Sequence, residues 1–234
     1  MTLFVRDWQD DRSVRSIFQD MKYVITPVTR FKQNCSMWIC EQTRRAVVID
    51  PGGDIERIIA VAQENEATIE KLLITHGHMD HASAGGALAK KLGVPIEGPH
   101  QQEAFLFKEM PQQCLEFGMG PIEDFVPDRW LNHGDTVSFG NEQIEVLHCP
   151  GHTPGHVAYF HRGEKLAAVG DILFAGSVGV TRMHYGSHPQ LVASIRQRLF
   201  PLGDRVRFIP GHGKMSSFGF EREFNPFVCD DLFD

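Results

Sequence analysis

Thr75-His76-Gly77-His78-Met79-Asp80-His81 puts three imidazoles and a carboxylate within six residues. Imidazole nitrogen and carboxylate oxygen are the donors that hold zinc and similar divalent metals. The run follows a short apolar stretch and opens a helical pattern. A turn at that junction aims several side chains at one point, whereas a regular helix would spread them around its axis. A lone histidine is ordinarily a surface or satisfied core residue; this cluster has little structural use without a cation.

Four residues on one turn cannot close two coordination spheres. Further candidates stand in Pro150-Gly151-His152-Thr153-Pro154-Gly155-His156, Gly170-Asp171 and Pro210-Gly211-His212-Gly213. Each follows a short apolar run and pairs Gly or Pro with His or Asp. That repetition is expected of a site shared at one edge of a sheet structure.

The positioning elements are readable from pattern. Residues 24–28, 36–40 and 46–49 read as strands, and Asp50-Pro-Gly-Gly as a turn. Ile55, Ile58, Ile59 and Ala62 give helical spacing over 54–65. Residues 72–75 read as a buried strand and 79–92 as one helix ended by Gly93. A helix over 101–109 precedes an irregular loop. Strands follow at 135–139, 143–148, 156–160 and 165–170, then a helix at about 188–200 and a strand at 206–209. Phe105, Phe107 and Met110 read either as core or as pocket wall. Pattern alone gives an α/β chain with several short strands.

Composition narrows the function. The 234 residues suit one large core, with 42% hydrophobic and 23% charged residues. The net charge is −7, and no Lys/Arg block marks a nucleic-acid or anionic membrane partner. No apolar run reaches the roughly 18–20 residues of a membrane span. Charges scattered through residues 1–20 do not fit a signal peptide, so a cytoplasmic location is expected. Cys35, Cys40, Cys114, Cys149 and Cys229 are odd in number and irregularly spaced, as free thiols would be. Residues 1–20 read as an N-terminal extension and 21–234 as one domain.

The order H-G-H-x-D-H, P-G-H-T-P-G-H, G-D, P-G-H-G resembles the metallo-β-lactamase superfamily, and within it the glyoxalase II branch, from about Tyr23 to Phe227. The resemblance implies an αββα sandwich, with two mixed sheets face to face, helices outside and metals at one edge. It implies two divalent ions, zinc first, with iron or manganese open. His76, His78 and His152 would hold one, Asp80, His81 and His212 the other. Asp171 would bridge them and, with Asp80, serve as a catalytic carboxylate. Asp50 and His156 would orient ligands by hydrogen bonds; Asp50 also reads as a plain turn residue.

The implied activity is hydrolysis of a thioester, S-lactoylglutathione or another hydroxyacylglutathione, by a metal-bridging hydroxide. The ending from Gly213 to Phe227 looks like the short, single-domain type without the C-terminal helical domain. One departure stands out. The branch carries a cation in a G-x-G-[K/R] segment; here that segment is Gly176-Ser-Val-Gly-Val180, and Arg182 follows two residues on. Arg182, Lys214 and Arg222 are the candidate anion contacts, with an ordinary surface arginine the competing reading of the first. The same ligands would also serve a persulfide dioxygenase with one Fe(II) on His76, His152 and Asp171. A lactonase, another ester hydrolase or phosphodiesterase, and a non-catalytic metal-binding protein complete the alternatives.

Overall fold

The computed structural model describes residues 20–233; the expected extension therefore lies outside the described residues but for Asp20. The first sheet is ordered β1 (Met21–Val28), β2 (Gln33–Cys40), β3 (Arg45–Ile49), β4 (Thr68–Leu73), β5 (Ile96–Glu97). It is mixed: β1–β2 and β2–β3 pair antiparallel, β3–β4 and β4–β5 parallel. The second sheet runs β13 (Ser216–Ser217), β12 (Arg207–Pro210), β9 (Leu166–Gly170), β8 (Val157–His161), β7 (Glu142–His148), β6 (Thr136–Phe139). It too is mixed, with β9 and β12 parallel.

Three apolar clusters make the layers. Trp38, Val47, Ile49 and Leu73 of the first sheet pack against Val146, Val157, Tyr159 and Ala168 of the second. On the first sheet's outer face, Met37, Ile39 and Val48 meet α1 (Ile55–Glu64), α3 (Gly85–Leu92) and α4 (Ala104–Glu116) through Ile58, Leu88, Phe107 and Met110. On the second sheet's outer face, Leu147, Phe160 and Phe208 meet α5 (His188–Ser194) and α6 (Phe218–Phe224) through Leu191 and Phe218. This is the expected αββα sandwich. All of β2, β8 and β9 is buried, as strands covered on both faces must be.

Several boundaries differ from the sequence pattern. The expected helix over 79–92 is two: α2 (Met79–Ala82), then α3, broken where Ser83 donates to the Gly52 carbonyl just before the weak helix formers Gly85 and Gly86. The helix expected to stop at residue 109 runs to Glu116 through Pro111, held by buried Met110 and Cys114 on the same face. The strand expected over 72–75 starts at Thr68 and stops at Leu73. The helix over 188–200 gives way after Ser194 to a wider turn, Ile195–Leu199. The small hairpin β10 (Leu173–Phe174) with β11 (Ser177–Val178) and the helix α6 were not anticipated.

Cys35, Cys40, Cys114 and Cys149 are buried free thiols, and Cys229 is a half-buried one. Burial pushes the Cys149 thiol up to about 12, so it is an inert small hydrophobe beside the site. Among the described residues, no helix is long and apolar enough to cross a membrane.

The sheets bring the carboxyl ends of β3, β4, β7, β9 and β12 to one edge, and the chemistry-bearing residues follow those ends. Close approach there needs glycine. A Cβ on Gly211 would lie 2.0 Å from Asp171 Oδ1 and 2.6 Å from His81 Cε1. Gly211→Ala is expected to destabilise the chain by about 1–3 kcal/mol through overpacking. Chemical denaturation checks this; an unchanged midpoint would show that the edge can yield.

Candidate metal centre

β4 delivers Thr75 and His76, and the turn into α2 supplies His78, Asp80 and His81. His152 follows β7, Asp171 follows β9 and His212 follows β12. All seven come together, as three overlapping groups of ligand atoms within 4.8 Å of one another: His76, His78, His152; His76, His81, Asp171; and Asp80, His81, His212.

The first group is tight. His78 Nδ1 lies 3.0 Å from His76 Nε2 and 3.1 Å from His152 Nε2. In the last group, Asp80 Oδ2 is 3.2 Å from His212 Nε2 and 3.9 Å from His81 Nε2. Asp171 stands between. Its Oδ2 faces His152 Nε2 at 3.7 Å, and its Oδ1 faces His81 Nε2 at 3.3 Å and His212 Nε2 at 3.8 Å.

The outward nitrogens fix what the inward ones offer. His152 Nδ1 donates to the Val180 carbonyl at 2.7 Å and His212 Nδ1 to the Phe31 carbonyl at 3.2 Å. His81 Nδ1 donates to Asp50 Oδ2 at 2.9 Å. Thr75 Oγ1 gives its own proton to Asp50 Oδ2, so at 3.0 Å it accepts from His76 Nδ1. His78 Nε2 meets the Tyr185 hydroxyl at 3.0 Å. With each outward nitrogen donating, five lone pairs point inward. His81 Nε2 and Asp171 Oδ1 are buried and lack a properly aligned hydrogen bond among the described residues. Such donors crowd together stably only around positive charge, so the residues fit a pair of divalent cations.

Electrostatics agree. Burial, then the neighbouring imidazoles, holds His76 well below its usual range; burial also brings His78 down to about 3 and lowers His152. These three are neutral and ready at pH 7. Burial also works against charge on His81, but Asp171, Asp80 and Asp50 outweigh it and raise the imidazole well above its ordinary value. His212 is raised too, burial being overcome by its bond to Asp80. Burial acts to raise Asp171, yet His81, His152 and His212 hold it far below the carboxylate range. The side made by Asp80, His81 and His212 therefore holds protons where a cation would sit.

Asp50 adopts a left-handed backbone, φ 55°. That unusual conformation lets one carboxylate accept from the Thr75 N–H at 2.7 Å, the Thr75 hydroxyl and His81. The carboxylate therefore bonds a candidate ligand, His81, as well as closing the turn. His156 stacks on His76 at 4.4 Å and accepts the Asp171 N–H at 3.1 Å, so it orients Asp171 through the main chain. Tyr185 and the Val180 and Phe31 carbonyls escaped sequence reading. A carbonyl acceptor leaves no mark in residue type, and Tyr185 lies far along the chain.

The candidate anion contacts separate. Lys214 is exposed and lines a cavity of about 370 Å³ with His212, Phe174, Ala175, Ser177 and Gly213. Arg182 is exposed, two residues beyond Val180. Arg222 is not brought to the cluster: it pairs with Asp204 at 3.0 Å and donates to the Phe200 carbonyl. Phe107 and Met110 are buried core, and half-buried Phe105 packs on Tyr185 at 5.3 Å.

The model of the metallo-beta-lactamase superfamily matches residues 30–212. A hydroxyacylglutathione hydrolase GloC from Haemophilus influenzae is 42% identical over 209 residues, covering 89% of this chain and 98% of that protein. The crystal structure of BLEG-1 B3 metallo-beta-lactamase superposes with a TM-score of 0.81 at 31% identity, over 88% of this chain and 99% of that one. TTHA1623 in a di-iron-bound form gives 0.78 at 31% identity, over 88% and 100%.

Two outcomes follow from the geometry. Asp50→Ala is expected to weaken cation binding about 10–100-fold by freeing His81. Uptake should also depend on pH. His81 and His212, raised in the metal-free chain, must lose protons to bind, so affinity on their side rises as pH climbs above the ordinary imidazole range toward their raised values, and protons are released. The side of His76, His78 and His152, already neutral, should change little. Calorimetry in buffers of different ionisation enthalpy measures both; uptake without proton release would contradict the assignment.

Proposed function

The chain belongs to the metallo-beta-lactamase superfamily, a superfamily of metallo-hydrolases, and from that premise we propose that it hydrolyses a thioester of glutathione, a hydroxyacylglutathione such as S-lactoylglutathione. His76, His78 and His152 would hold one divalent cation and Asp80, His81 and His212 the second, with Asp171 placed between the two groups. The observation that carries this is Asp171, with one oxygen turned to each group. Zinc suits the nitrogen and oxygen donors, as do iron and manganese; the di-iron form of TTHA1623 supports a paired site.

A bound pair of cations would supply a Lewis acid for the thioester carbonyl and lower the pKa of an attacking water. The chain's own residues do the rest. Asp171, anionic at any working pH, accepts a hydrogen bond from the water and orients it. Asp80 is likewise held low, by His81 and His212 against the opposing effect of burial, and its side chain keeps 16% exposure at the mouth. Asp50, His156 and Tyr185 keep the imidazoles in register. Val180 presents a half-exposed side chain and spends its carbonyl on His152, so no cation stands where the branch has one. Lys214, beside His212, and Arg182 supply positive charge for the glutathione carboxylates. Similarity to GloC supports this substrate class.

The test compares hydrolysis of S-lactoylglutathione with that of a glutathione-free thioester and a simple lactone. The glutathione thioester should be clearly preferred, and Asp171→Ala should remove the activity. Lys214→Glu is expected to raise KM about tenfold, with kcat within about twofold, as loss of a binding contact would. Equal rates on all three substrates would discard glutathione. Oxygen consumption on glutathione persulfide with iron bound would replace the hydrolase by a dioxygenase.

A further inference from the structure

Glu103 is completely buried, at 0% exposure, at the point where the short turn Gln101–Glu103 enters α4. Isolated buried carboxylates are costly unless hydrogen-bonded. Its two oxygens are spent on two different ligand loops. Oε2 accepts the Gly77 N–H at 2.8 Å, between His76 and His78. Oε1 accepts the Gly155 N–H at 2.6 Å, between His152 and His156. The Gly155 carbonyl in turn accepts the His100 N–H at 3.1 Å, so Gly155 is held through both of its main-chain groups.

The packing leaves no room for adjustment. A Cβ on Gly155 would lie 2.7 Å from Glu103 Cγ and 2.8 Å from the Glu103 nitrogen. A Cβ on Gly77 would lie 2.7 Å from Leu106 Cβ, one turn along α4. Each sheet carries one of these loops: His76 and His78 follow β4, His152 follows β7. Among the described residues the named strands of the two sheets do not pair with one another; an isolated bridge, Gln33 to His212, and the Val157 N–H on the Thr75 carbonyl at 2.8 Å cross between them. Beside that backbone bond at the strand ends, one carboxylate bonds the interior of both loops, whose imidazoles stand about 3 Å apart. Burial pushes this carboxyl up to about 7, with the two N–H groups opposing the rise.

We propose that Glu103 is a positioning residue: it fixes the His76–His78 turn against the His152–His156 turn and so sets the geometry of the cation position they share. The inference rests on the metal assignment above and not on the thioester substrate.

Glu103→Gln keeps the size and leaves one acceptor oxygen. The amide's NH₂ then opposes one of the two backbone N–H groups, so one loop is released. Cation affinity is expected to fall about 10–100-fold. The electronic spectrum of the Co(II)-loaded protein should shift, and kcat should fall with KM nearly unchanged. Glu142→Gln serves as a control, because it breaks a buried pair to His161 (2.9 Å) at the opposite end of β7. It should lower thermal stability without moving affinity or spectrum.

Wild-type affinity and spectrum in Glu103→Gln, or losses no larger than in the control, would overturn the proposal. Should Glu103→Gln not fold, amide exchange in the wild-type chain decides. The Gly77 and Gly155 N–H groups are expected to be protected, and free exchange at either would overturn it. A wild-type chain that takes up no cation would instead defeat the metal assignment, and the proposal with it.

Discussion

Five imidazoles whose outward nitrogens are already committed must share one buried pocket with two carboxylates. Each committed outward N–H leaves an inward lone pair, and lone pairs 3.0 Å apart repel unless something positive lies between them. The three acceptors that fix most of these rings are a carboxylate and two backbone carbonyls, and none of them can reverse its role as acceptor. Demand for a cation is therefore written into the hydrogen bonds around the ligands as much as into the ligands themselves. In its absence His81 and His212 retain protons, which is the same demand met by the smallest available charge.

The sandwich exists, in this light, to deliver loops from two sheets to one edge. β3 and β4 end there from one sheet, β7, β9 and β12 from the other. The cluster between the sheets is apolar and built from large side chains such as Trp38 and Tyr159, so the edge cannot shear easily. Polar ties then cross from sheet to sheet at the rim. Asn34 on β2 donates to the Pro210 and Gly213 carbonyls on either side of His212. The Tyr159 hydroxyl on β8 donates to the Ile74 carbonyl at 2.8 Å, just before the ligand turn. These ties hold the spacing of the ligands without touching a cation.

What the sequence made legible were the features that are local. His76, His78, His152, Asp171 and His212 each sit within a residue or two of a Gly or Pro that lets the chain turn, Asp80 and His81 follow directly on the first of these turns, and each turn follows an apolar strand, so the seven could be named together. Strand runs such as 143–148 were equally plain. Less legible was anything decided by distant packing. The helix expected over 101–109 runs on through Pro111, because burial of Met110 and Cys114 outweighs the hydrogen bond that a proline removes. Glu103 carries no mark in the sequence, because nothing nearby announces that two glycine N–H groups from separate loops will meet it. Arg222 shows the reverse: a cation close in sequence to His212 is turned away by Asp204 and Phe200.

The central claim is that two cations share Asp171. Anomalous diffraction from crystals of the zinc-loaded protein, collected across the zinc edge, measures it directly. The account predicts two peaks about 3.5–4 Å apart, one among His76, His78 and His152, the other among Asp80, His81 and His212, with Asp171 between them. A single peak held by His76, His152 and Asp171 at saturating metal, or no peak at this edge, would contradict it.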